Sequence, residues 1–433
     1  MNQKPPNQLH KQGKPPKTKY PILRPLWIGL LIDVLGFYII IPYIPSLIEI
    51  FNATPFLIGL LLATNAVFSL VSAPIWGKLS DKYGRKPILL IAEAGTCSAF
   101  LILGFSNSLP MFFIARIVDG IFGGNFPLTK AIITDAVPPK DRGVQMTNVG
   151  VVMTIAGLVA PGLGGFLSVF LIFGATYPMA LPGLVAAGFS FLTIITTLFF
   201  IEETWPKSER EKAQKEIKIK IHIWENKGAL YLLTQFALHT LSFITYVSTL
   251  AVFITLILGY NTLGVSLLLT VSGISRAIVR FSVFPPTMRK LGERNMTILG
   301  LSILMVTFLY IGIFARVYPE PWIFIVLMIF ASYGVSCSRG ILMSRVTQSV
   351  TPKEIGKING YTTTLDSLGQ IIGPIVGTLL LENFNPAVFG SFMAILALAA
   401  FLMDFKVITP LIQKKQFKIE EQLQMKLKKI PQI

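Results

Sequence analysis

The chain alternates between long apolar runs and short polar segments. A helix of about 20 apolar residues is long enough to cross the hydrocarbon core of a bilayer. Most of these runs contain Gly or Pro, which are common in membrane helices because neighbouring helices satisfy the freed backbone groups. The pattern predicts an all-α polytopic membrane protein with twelve transmembrane helices, centred near Gly36, Val67, Phe100, Gly123, Ala156, Phe191, Leu241, Ser272, Val306, Ile329, Ile372 and Ile395.

Polar segments divide the chain into five parts. Residues 1–22 form a Lys- and Pro-rich arm without a small-residue cleavage site, so we do not expect a secretory signal there. Six spans at 23–203 are separated by a charged linker at 204–227 from six more at 228–408. A basic tail follows at 409–433, with the rough amphipathicity of a helix lying on the membrane surface. The sequence thus predicts two six-helix bundles with polar extensions.

The two halves carry a weak internal repeat. GKLSDKYGRKP at 77–87 aligns with PPTMRKLGERN at 285–295, PPKDRG at 138–143 with TPKEIG at 351–356, and APGLGG at 160–165 with GPIVGT at 373–378. Three matches in the same order indicate duplication rather than chance. Duplicated six-span halves are typical of secondary transporters, whose binding site lies between the halves near the bilayer midplane.

Composition agrees with a membrane protein and excludes most soluble enzymes, since 53% of the residues are hydrophobic and 14% are charged. The net charge of +17 could suggest nucleic-acid binding, but the positions of the charges argue against it. Thirty-two of the 38 Lys and Arg residues fall in the termini and alternate loops, whereas Arg316 alone falls in the opposite loops. This bias predicts that both termini are cytoplasmic, with the lipid bilayer as the partner of the basic rim.

Several kinds of chemistry are not expected from this sequence. Cys97 and Cys337 lie far apart in apolar runs, and the three histidines show no metal-ligand spacing. No Walker lysine and no Ser/His/Asp set is present, which argues against ATP as an energy source and against an enzyme. We therefore expect no cofactor and no metal, with a proton gradient as the energy source.

Several motifs resemble the major facilitator superfamily, and the resemblance extends from about Leu23 to Ile408. GKLSDKYGRKP is close to the superfamily's loop signature between the second and third spans. Four further features are similar to the twelve-span drug:proton antiporter branch, which includes tetracycline efflux proteins: Asp33-x-x-Gly36 with Pro42-x-x-Pro45, Arg116-Ile-Val-x-Gly120, Asp135 before Arg142, and Glu203-Thr204-x-Pro206. The resemblance implies the major facilitator fold, with two pseudo-symmetric bundles and alternating access.

The resemblance also implies a helix-packing motif in span 5, where the sequence departs from the family pattern. The family places glycines five and one residues before the proline, whereas Ala156 and Ala160 precede Pro161 here. The small residues Gly157, Gly164 and Gly165 remain. Because this motif is associated with exchange, its departure leaves both antiport and symport open.

Ionisable groups inside spans are functional candidates, since each costs roughly 2.5–3.5 kcal/mol on insertion scales. Asp33, Glu93 and Asp119 are such acids, and Arg116 can pair with Asp119 three residues on. An acid that gains and loses a cationic partner can carry a proton through a transport cycle. We predict that these four residues couple transport to protons, the role that the resemblance implies for Arg116; static ion pairs are the alternative.

A second group of polar residues predicts a substrate cavity. Its cations would suit an anionic or zwitterionic substrate, because guanidinium groups match carboxylates and phosphates. The alternatives are snorkelling to the membrane surface for the cations and interhelical hydrogen bonds for the neutral residues. The predicted cavity residues are Asn65, Asn125, Lys130, Gln235, His239, Tyr246, Arg276, Arg339, Asp366 and Gln370.

The loop between spans 2 and 3 is interpreted as a gate. Gly77 and Gly84 permit tight turns, and Asp81 can bind Arg85, Lys86 or the following helix N-terminus. By family resemblance, Asp81 braces the two halves when the outside is open. Pure topology and helix capping form the alternative interpretation.

The leading hypothesis is a secondary transporter that exports a small organic compound in exchange for protons. A proton-coupled symporter or exchanger of an anionic metabolite is the alternative, and a non-transporting receptor or scaffold of the same fold is a third possibility. The expected partners are lipid, protons and a small-molecule substrate, without nucleic acid. We expect a monomer, multi-pass in the plasma membrane.

Overall fold

A computed structural model describes residues 20, 22–170, 172, 174–206, 208, 226–314, 320–350 and 354–405. The predicted basic arm, most of the predicted linker and nearly all of the predicted basic tail lie outside these ranges, as does Arg316. Within them the chain folds into helices and contains no strand.

The described residues of the first half form eight helices. α1 continues through a 3₁₀ turn, Ile41–Ser46, into α2, and α5 and α6 together form the predicted span 4. Their bounds are α1 Leu23–Ile40, α2 Leu47–Phe51, α3 Pro55–Tyr83, α4 Arg85–Gly104, α5 Leu109–Ile121, α6 Asn125–Ala136, α7 Pro139–Leu167 and α8 Ala180–Phe200.

The described residues of the second half form six helices, of which the first begins at the last residue of the predicted linker. A π-helical turn, Val279–Val283, joins α10 to α11. The bounds are α9 Lys227–Leu258, α10 Thr262–Ile278, α11 Phe284–Phe314, α12 Pro321–Gln348, α13 Ile355–Asn383 and α14 Pro386–Phe405. The domain boundaries that the sequence suggests stay predictions.

Eleven helical segments of the described chain are long and apolar enough to cross a membrane. One of them, Thr262–Ile313, has 52 residues. At 1.5 Å per residue that is about 78 Å, more than twice the hydrocarbon thickness of roughly 30 Å. It contains α10, α11 and a non-helical break at Gly292. The all-α, multi-pass membrane class is confirmed, while the count of twelve spans stays a prediction.

Two glycines that align in the sequence repeat mark equivalent turns. Gly84 separates α3 from α4 with φ 108°, and Gly292 interrupts α11 with φ 71°. Positive φ values are readily adopted by glycine because it has no Cβ. The repeat in the sequence thus has a counterpart in the backbone. We call the face of the protein that carries these two turns the basic face.

The helices pack into two bundles, α1–α8 and α9–α14. α4 packs on α8 and α1 on α7 and α8 in the N-terminal bundle, while α11 packs on α12 and α14 in the C-terminal bundle. Between the bundles, α3 packs on α13 and α7 on α10.

The bundles are closely joined at the end opposite the basic face. One apolar core there includes Ile39 and Phe112 from the first bundle and Tyr246 and Phe253 from the second. The Phe56 N–H also donates a hydrogen bond of 2.6 Å to Glu382 Oε2. Towards the basic face, α6 and α12 are not among the helix pairs that pack extensively. We call the region between α6 and α12, where the side chains of Arg339 and Asp366 are partly exposed, the cleft.

Candidate functional site

A buried ion pair lies on one face of α5. Arg116 Nη1 donates to Asp119 Oδ2 over 2.8 Å, as their spacing of three residues allows. Asn65 of α3 donates to the same oxygen over 2.8 Å. The guanidinium also lies over the Phe37 ring, 5.4 Å from its centroid. The pair thus joins α5 to α1 and α3.

Asp33 lies near the middle of α1 and faces two other helices of its bundle. The Asn125 side-chain amide of α6 contacts both of its carboxylate oxygens, at 3.2 and 3.3 Å. The same amide donates to Thr96 Oγ1 on α4 over 3.3 Å. Because Asn125 is not a cation, Asp33 has a hydrogen-bond partner but no salt bridge among the described residues.

Glu93 lies deeper in the same bundle, with 2% of its surface exposed. Its Oε1 accepts a hydrogen bond of 2.7 Å from Thr197, whereas Oε2 has no partner among the described residues. A cavity of about 10 Å³ adjoins Glu93 and Asp33 and is also lined by Asn125 and Thr197. That volume is close to the room needed by one water molecule.

Electrostatic interactions link the three acids in a row, with Asp33 between Glu93 and Asp119. We call Glu93, Asp33 and Asp119 the acid row. The structure therefore brings the four predicted coupling residues together inside the N-terminal bundle. It places Asn65 and Asn125 in this network as hydrogen-bond donors, although the sequence suggested a position in the substrate cavity.

The cleft contains charged residues from both bundles. Arg339 of α12 pairs with Asp366 of α13 at 2.8 Å, and their side chains are 31% and 26% exposed. Lys130 of α6 interacts electrostatically with both, and its Nζ lies 4.3 Å from the Phe126 ring centroid. Asp366 thus forms its salt bridge with Arg339 of its own bundle, while Lys130 of the other bundle interacts with it at longer range.

Three further predicted cavity residues are Gln370, Arg276 and Tyr246, of which Tyr246 lies in the apolar core that joins the bundles. Gln370 lies one turn beyond Asp366 on the same face of α13 and is exposed. Arg276 of α10 interacts electrostatically with Tyr246 of α9 and with Tyr38 of α1. Sequence reasoning did not select Tyr38, because an aromatic residue within an apolar run gives no distinct signal.

Gln235 and His239 are placed elsewhere than the sequence suggested. Gln235 donates a hydrogen bond of 2.9 Å to the Ala400 carbonyl of α14. His239 Nε2 lies 2.8 Å from Ser338 Oγ of α12. Both side chains are buried within the C-terminal bundle. In this conformation they form interhelical hydrogen bonds rather than line the cleft.

The predicted gating loop is held by a compact set of polar contacts on the basic face. Arg85 binds Asp135 of α6 at 2.8 Å and Asp81 at 2.6 Å. Glu203 accepts hydrogen bonds from the backbone N–H groups of Arg85 and Lys86. These contacts tie together helix ends of the N-terminal bundle alone. The Asp81 side chain is 64% exposed and contacts its own bundle through Arg85.

The span 5 motif lies at the junction of the bundles. Gly164 faces the Ile39 carbonyl of α1, and Gly165 faces Ser266 of α10. The Gly157 carbonyl lies against Gly273 of α10. Pro161 lies within α7 between these contacts. Small residues therefore allow α7 to approach helices of both bundles.

One charged cluster escaped sequence reasoning. Arg345 of α12 pairs with Asp404 of α14 at 2.5 Å, and Arg294 donates to the Asp404 carbonyl over 3.3 Å. The cluster closes the C-terminal bundle at the basic face. The sequence did contain one indication of this cluster, because Asp404 is an acid at the end of an otherwise apolar span. A buried acid needs a charged or hydrogen-bonding partner.

Comparison with known proteins identifies the chain's relatives. The family model for the Major Facilitator Superfamily matches residues 26–365 and 285–430. The tetracycline resistance protein, class H, of Pasteurella multocida is 29% identical over 361 residues, covering 80% of this chain and 85% of that protein. The multidrug resistance protein MdtG of Proteus mirabilis is 25% identical over 400 residues, covering 89% and 93%.

Solved structures agree on the fold. The crystal structure of a D-xylose-proton symporter has a TM-score of 0.74 at 16% sequence identity and covers 90% of this chain and 98% of the other. These relatives and structural neighbours are transporters rather than enzymes. The predicted fold and the predicted transporter class are confirmed.

Proposed function

This chain belongs to the major facilitator superfamily, and we propose that it exports a small organic compound from the cytoplasm in exchange for protons. Its similarity to proteins named for tetracycline and multidrug resistance supports the efflux direction. The cleft takes up the substrate from the basic face, where the distribution of Lys and Arg predicts the cytoplasm. Rocking of the two bundles then exposes the substrate to the opposite side.

The acid row carries this proposal. Glu93, Asp33 and Asp119 lie inside one bundle, with Arg116 as the cation paired to the row. Adding or removing one proton changes the net charge of this row in surroundings of low dielectric, where electrostatic energies are large. A proton can therefore shift the balance between conformations.

The position of the row keeps protons apart from the substrate. The row lies within the N-terminal bundle, whereas Arg339 pairs with Asp366 in the cleft and Lys130 interacts with both at longer range. A proton can bind and leave the row without passing through the substrate cavity. Antiport requires that the two are carried at different stages of the cycle, and separate sites permit this.

Flux measurements on proteoliposomes test the direction of coupling. We would reconstitute purified protein into lipid vesicles and impose a pH gradient of either sign, with tetracycline, cationic drugs and organic anions as substrates. Antiport predicts accumulation when the lumen is acidic, because protons leave as substrate enters. Accumulation driven by an acidic exterior would instead indicate symport, and absence of flux would indicate a receptor or scaffold.

A matched pair of variants tests the acid row itself. Asp33→Asn removes a titratable group while preserving the shape of the side chain, so we expect gradient-driven flux to fall at least tenfold. Glu49→Gln changes an exposed acid of α2, distant from the row, and should leave flux unchanged. Unchanged proton-driven flux in Asp33→Asn would contradict the proposal.

A further inference from the structure

An apolar groove opens on the outer surface of the C-terminal bundle, between α11 and α12. Its volume is about 510 Å³, and its walls come from residues within 302–310 and 322–330. Small-molecule sites commonly have volumes of about 300–1,000 Å³. Val306, Trp322 and Phe330 of the walls are exposed. None of the described residues that line the groove belongs to the cleft or to the acid row.

The groove begins beside a close contact of the two helices. A Cβ on Gly300 of α11 would lie 2.7 Å from the Gly334 carbonyl oxygen of α12, and a Cβ on Gly334 would lie 2.8 Å from Leu304 Cγ. The two glycines therefore allow the helices to approach closely at this point. Within about one turn of it, towards Phe314 and Pro321, side chains no longer fill the space between the helices.

The groove is about as long as one leaflet of a bilayer is thick. α11 extends from its break at Gly292 on the basic face to Phe314, so the stretch 302–310 lies in the half away from that face. Eight residue steps span about 12 Å in a helix, and half of a hydrocarbon core of roughly 30 Å is about 15 Å. Trp322 lies at the beginning of α12, and tryptophan is enriched where a membrane meets water. The groove therefore extends from the level of the headgroups towards the bilayer midplane.

The walls offer apolar contacts and no charge. No Lys, Arg, His, Asp or Glu is present among the described residues that line the groove. The Ser302 hydroxyl donates to the Ile298 carbonyl of its own helix over 2.9 Å, and Thr307 is almost wholly buried. Both helices belong to segments that are apolar enough to cross a membrane, so hydrocarbon surrounds this surface. The occupant that fits these walls is apolar.

The dimensions of the groove favour a lipid chain over a helix of a second copy. A helical segment about 12 Å long and about 10 Å across occupies roughly 900 Å³, which exceeds the volume of the groove. An extended hydrocarbon chain is much thinner and can lie along both walls. There it makes dispersion contacts with two helices, whereas a chain on the convex surface of a single helix contacts only one.

We propose that the groove holds one acyl chain of a phospholipid from the leaflet opposite the basic face. The chain takes the place of side chains that would otherwise close the space between α11 and α12. Helices in membranes associate through close packing, because lipid tails are as apolar as leucine, so a well-fitted chain joins the two helices as a side chain does. This site is independent of the transported compound and of proton coupling.

Photochemical labelling in nanodiscs tests the site. The nanodiscs would contain palmitoyl-oleoyl phosphatidylcholine with a small fraction of phosphatidylcholine that carries a diazirine in the middle of one acyl chain. After irradiation, peptide mass spectrometry locates the label. We expect the yield on 302–310 and 322–330 to be about fivefold or more above that on the exposed surface of α14 around Ile395, because a chain in the groove has protein on two sides. A phosphatidylglycerol probe with the same chains should give the same ratio, since no charged residue lines the described groove.

Substitutions that fill the groove assign the label to it. Val326→Trp and Val306→Trp each add a bulky side chain from opposite walls, and each should reduce labelling of the groove about fivefold or more by displacing the chain. Ile395→Trp is the matched control, because it places the same side chain on an exposed position of α14, and it should leave labelling of the groove unchanged. Thermal unfolding verifies that each variant is folded, and two filling variants keep the test valid if one of them is unstable.

Several results would overturn the proposal. Equal labelling of the groove and of the α14 surface would do so, as would labelling of the groove that persists in a folded filling variant. A strong dependence on the headgroup would assign the binding to the headgroup instead of the chain. An unlabelled groove in chains that cross-link to each other through 302–310 or 322–330 would show that a second copy covers it. None of these measurements involves flux, so failure of this site leaves the proposed transport function unaffected.

Discussion

Gly273 of α10 lies directly against the backbone carbonyl of Gly157 on α7, so the two bundles touch here without an intervening side chain. A Cβ on Gly273 would lie 2.5 Å from the Gly157 carbonyl oxygen and 2.7 Å from Leu158 Cα. Those separations are too short for non-bonded atoms. A Cβ on Gly157 itself would meet no atom within 4 Å. The packing therefore requires glycine at position Gly273 but not at position Gly157.

We predict that Gly273→Ala destabilises this conformation and slows transport, whereas Gly157→Ala changes neither. Overpacking typically costs about 1–3 kcal/mol, and the neighbouring atoms are backbone and cannot move aside as a flexible side chain could. Thermal unfolding and flux of the two purified variants test this difference. Equal behaviour of the two variants would show that the bundles do not depend on this contact.

Substitutions at the Arg116–Asp119 pair should separate its effect on the free energy of unfolding from its effect on proton coupling. Arg116→Met leaves a buried carboxylate with Asn65 as its remaining partner, and breaking a buried pair costs about 3–5 kcal/mol. Adding Asp119→Leu removes the unpaired charge, so the double variant should recover most of the lost stability. Neither variant should support proton-driven flux.

Chemical denaturation and gradient-driven flux measure these two properties separately. A conservative control is Asp119→Asn, which retains a hydrogen-bonding group beside Asn65 but cannot titrate. Recovery of coupling in the uncharged double variant would exclude a role for this pair in proton transfer and leave it as a structural ion pair.

The gating loop offers a comparison of two acids that bind one guanidinium. Asp135 is 10% exposed where it contacts Arg85, whereas Asp81 is 64% exposed. Exposed ion pairs contribute about 0–1 kcal/mol, so Asp81→Asn should leave thermal stability almost unchanged. Asp135→Asn should lower it measurably, because the Arg85 guanidinium is buried.

Substrate flux through the Asp81→Asn variant tests whether this loop acts as a gate. If Asp81 braces the bundles when the cleft is closed on the basic face, flux falls severalfold although stability is retained. Distances between spin labels on α3 and α12 would show whether that closed population decreases. Normal flux together with normal distances would leave Asp81 with a topological role.

The limits of the sequence are clear from residues within single helices. A charged residue in an apolar span is conspicuous, which is why the acid row and Arg116 could be selected. The direction of a neutral polar residue is harder to predict, because lipid and bundle interior are both apolar and the helix has little amphipathicity. Gln235 therefore gave no indication that it faces α14. The contact of Gly157 with Gly273 depends on tertiary packing, which one sequence does not reveal.

Two ion pairs of the C-terminal bundle provide the last prediction. Arg345 and Asp404 are almost wholly buried at the basic face, whereas Arg339 and Asp366 are partly exposed to the cleft. Asp404→Asn should therefore lower the free energy of unfolding by about 3–5 kcal/mol, because a buried guanidinium loses its charged partner. Asp366→Asn should change stability by less than about 1 kcal/mol. It frees Arg339 and makes the cleft more positive, so the KM for an anionic substrate should fall about threefold or more. Unfolding and KM measured on both variants test this, and a rise in KM for anions in Asp366→Asn would mean that the carboxylate itself contacts the substrate.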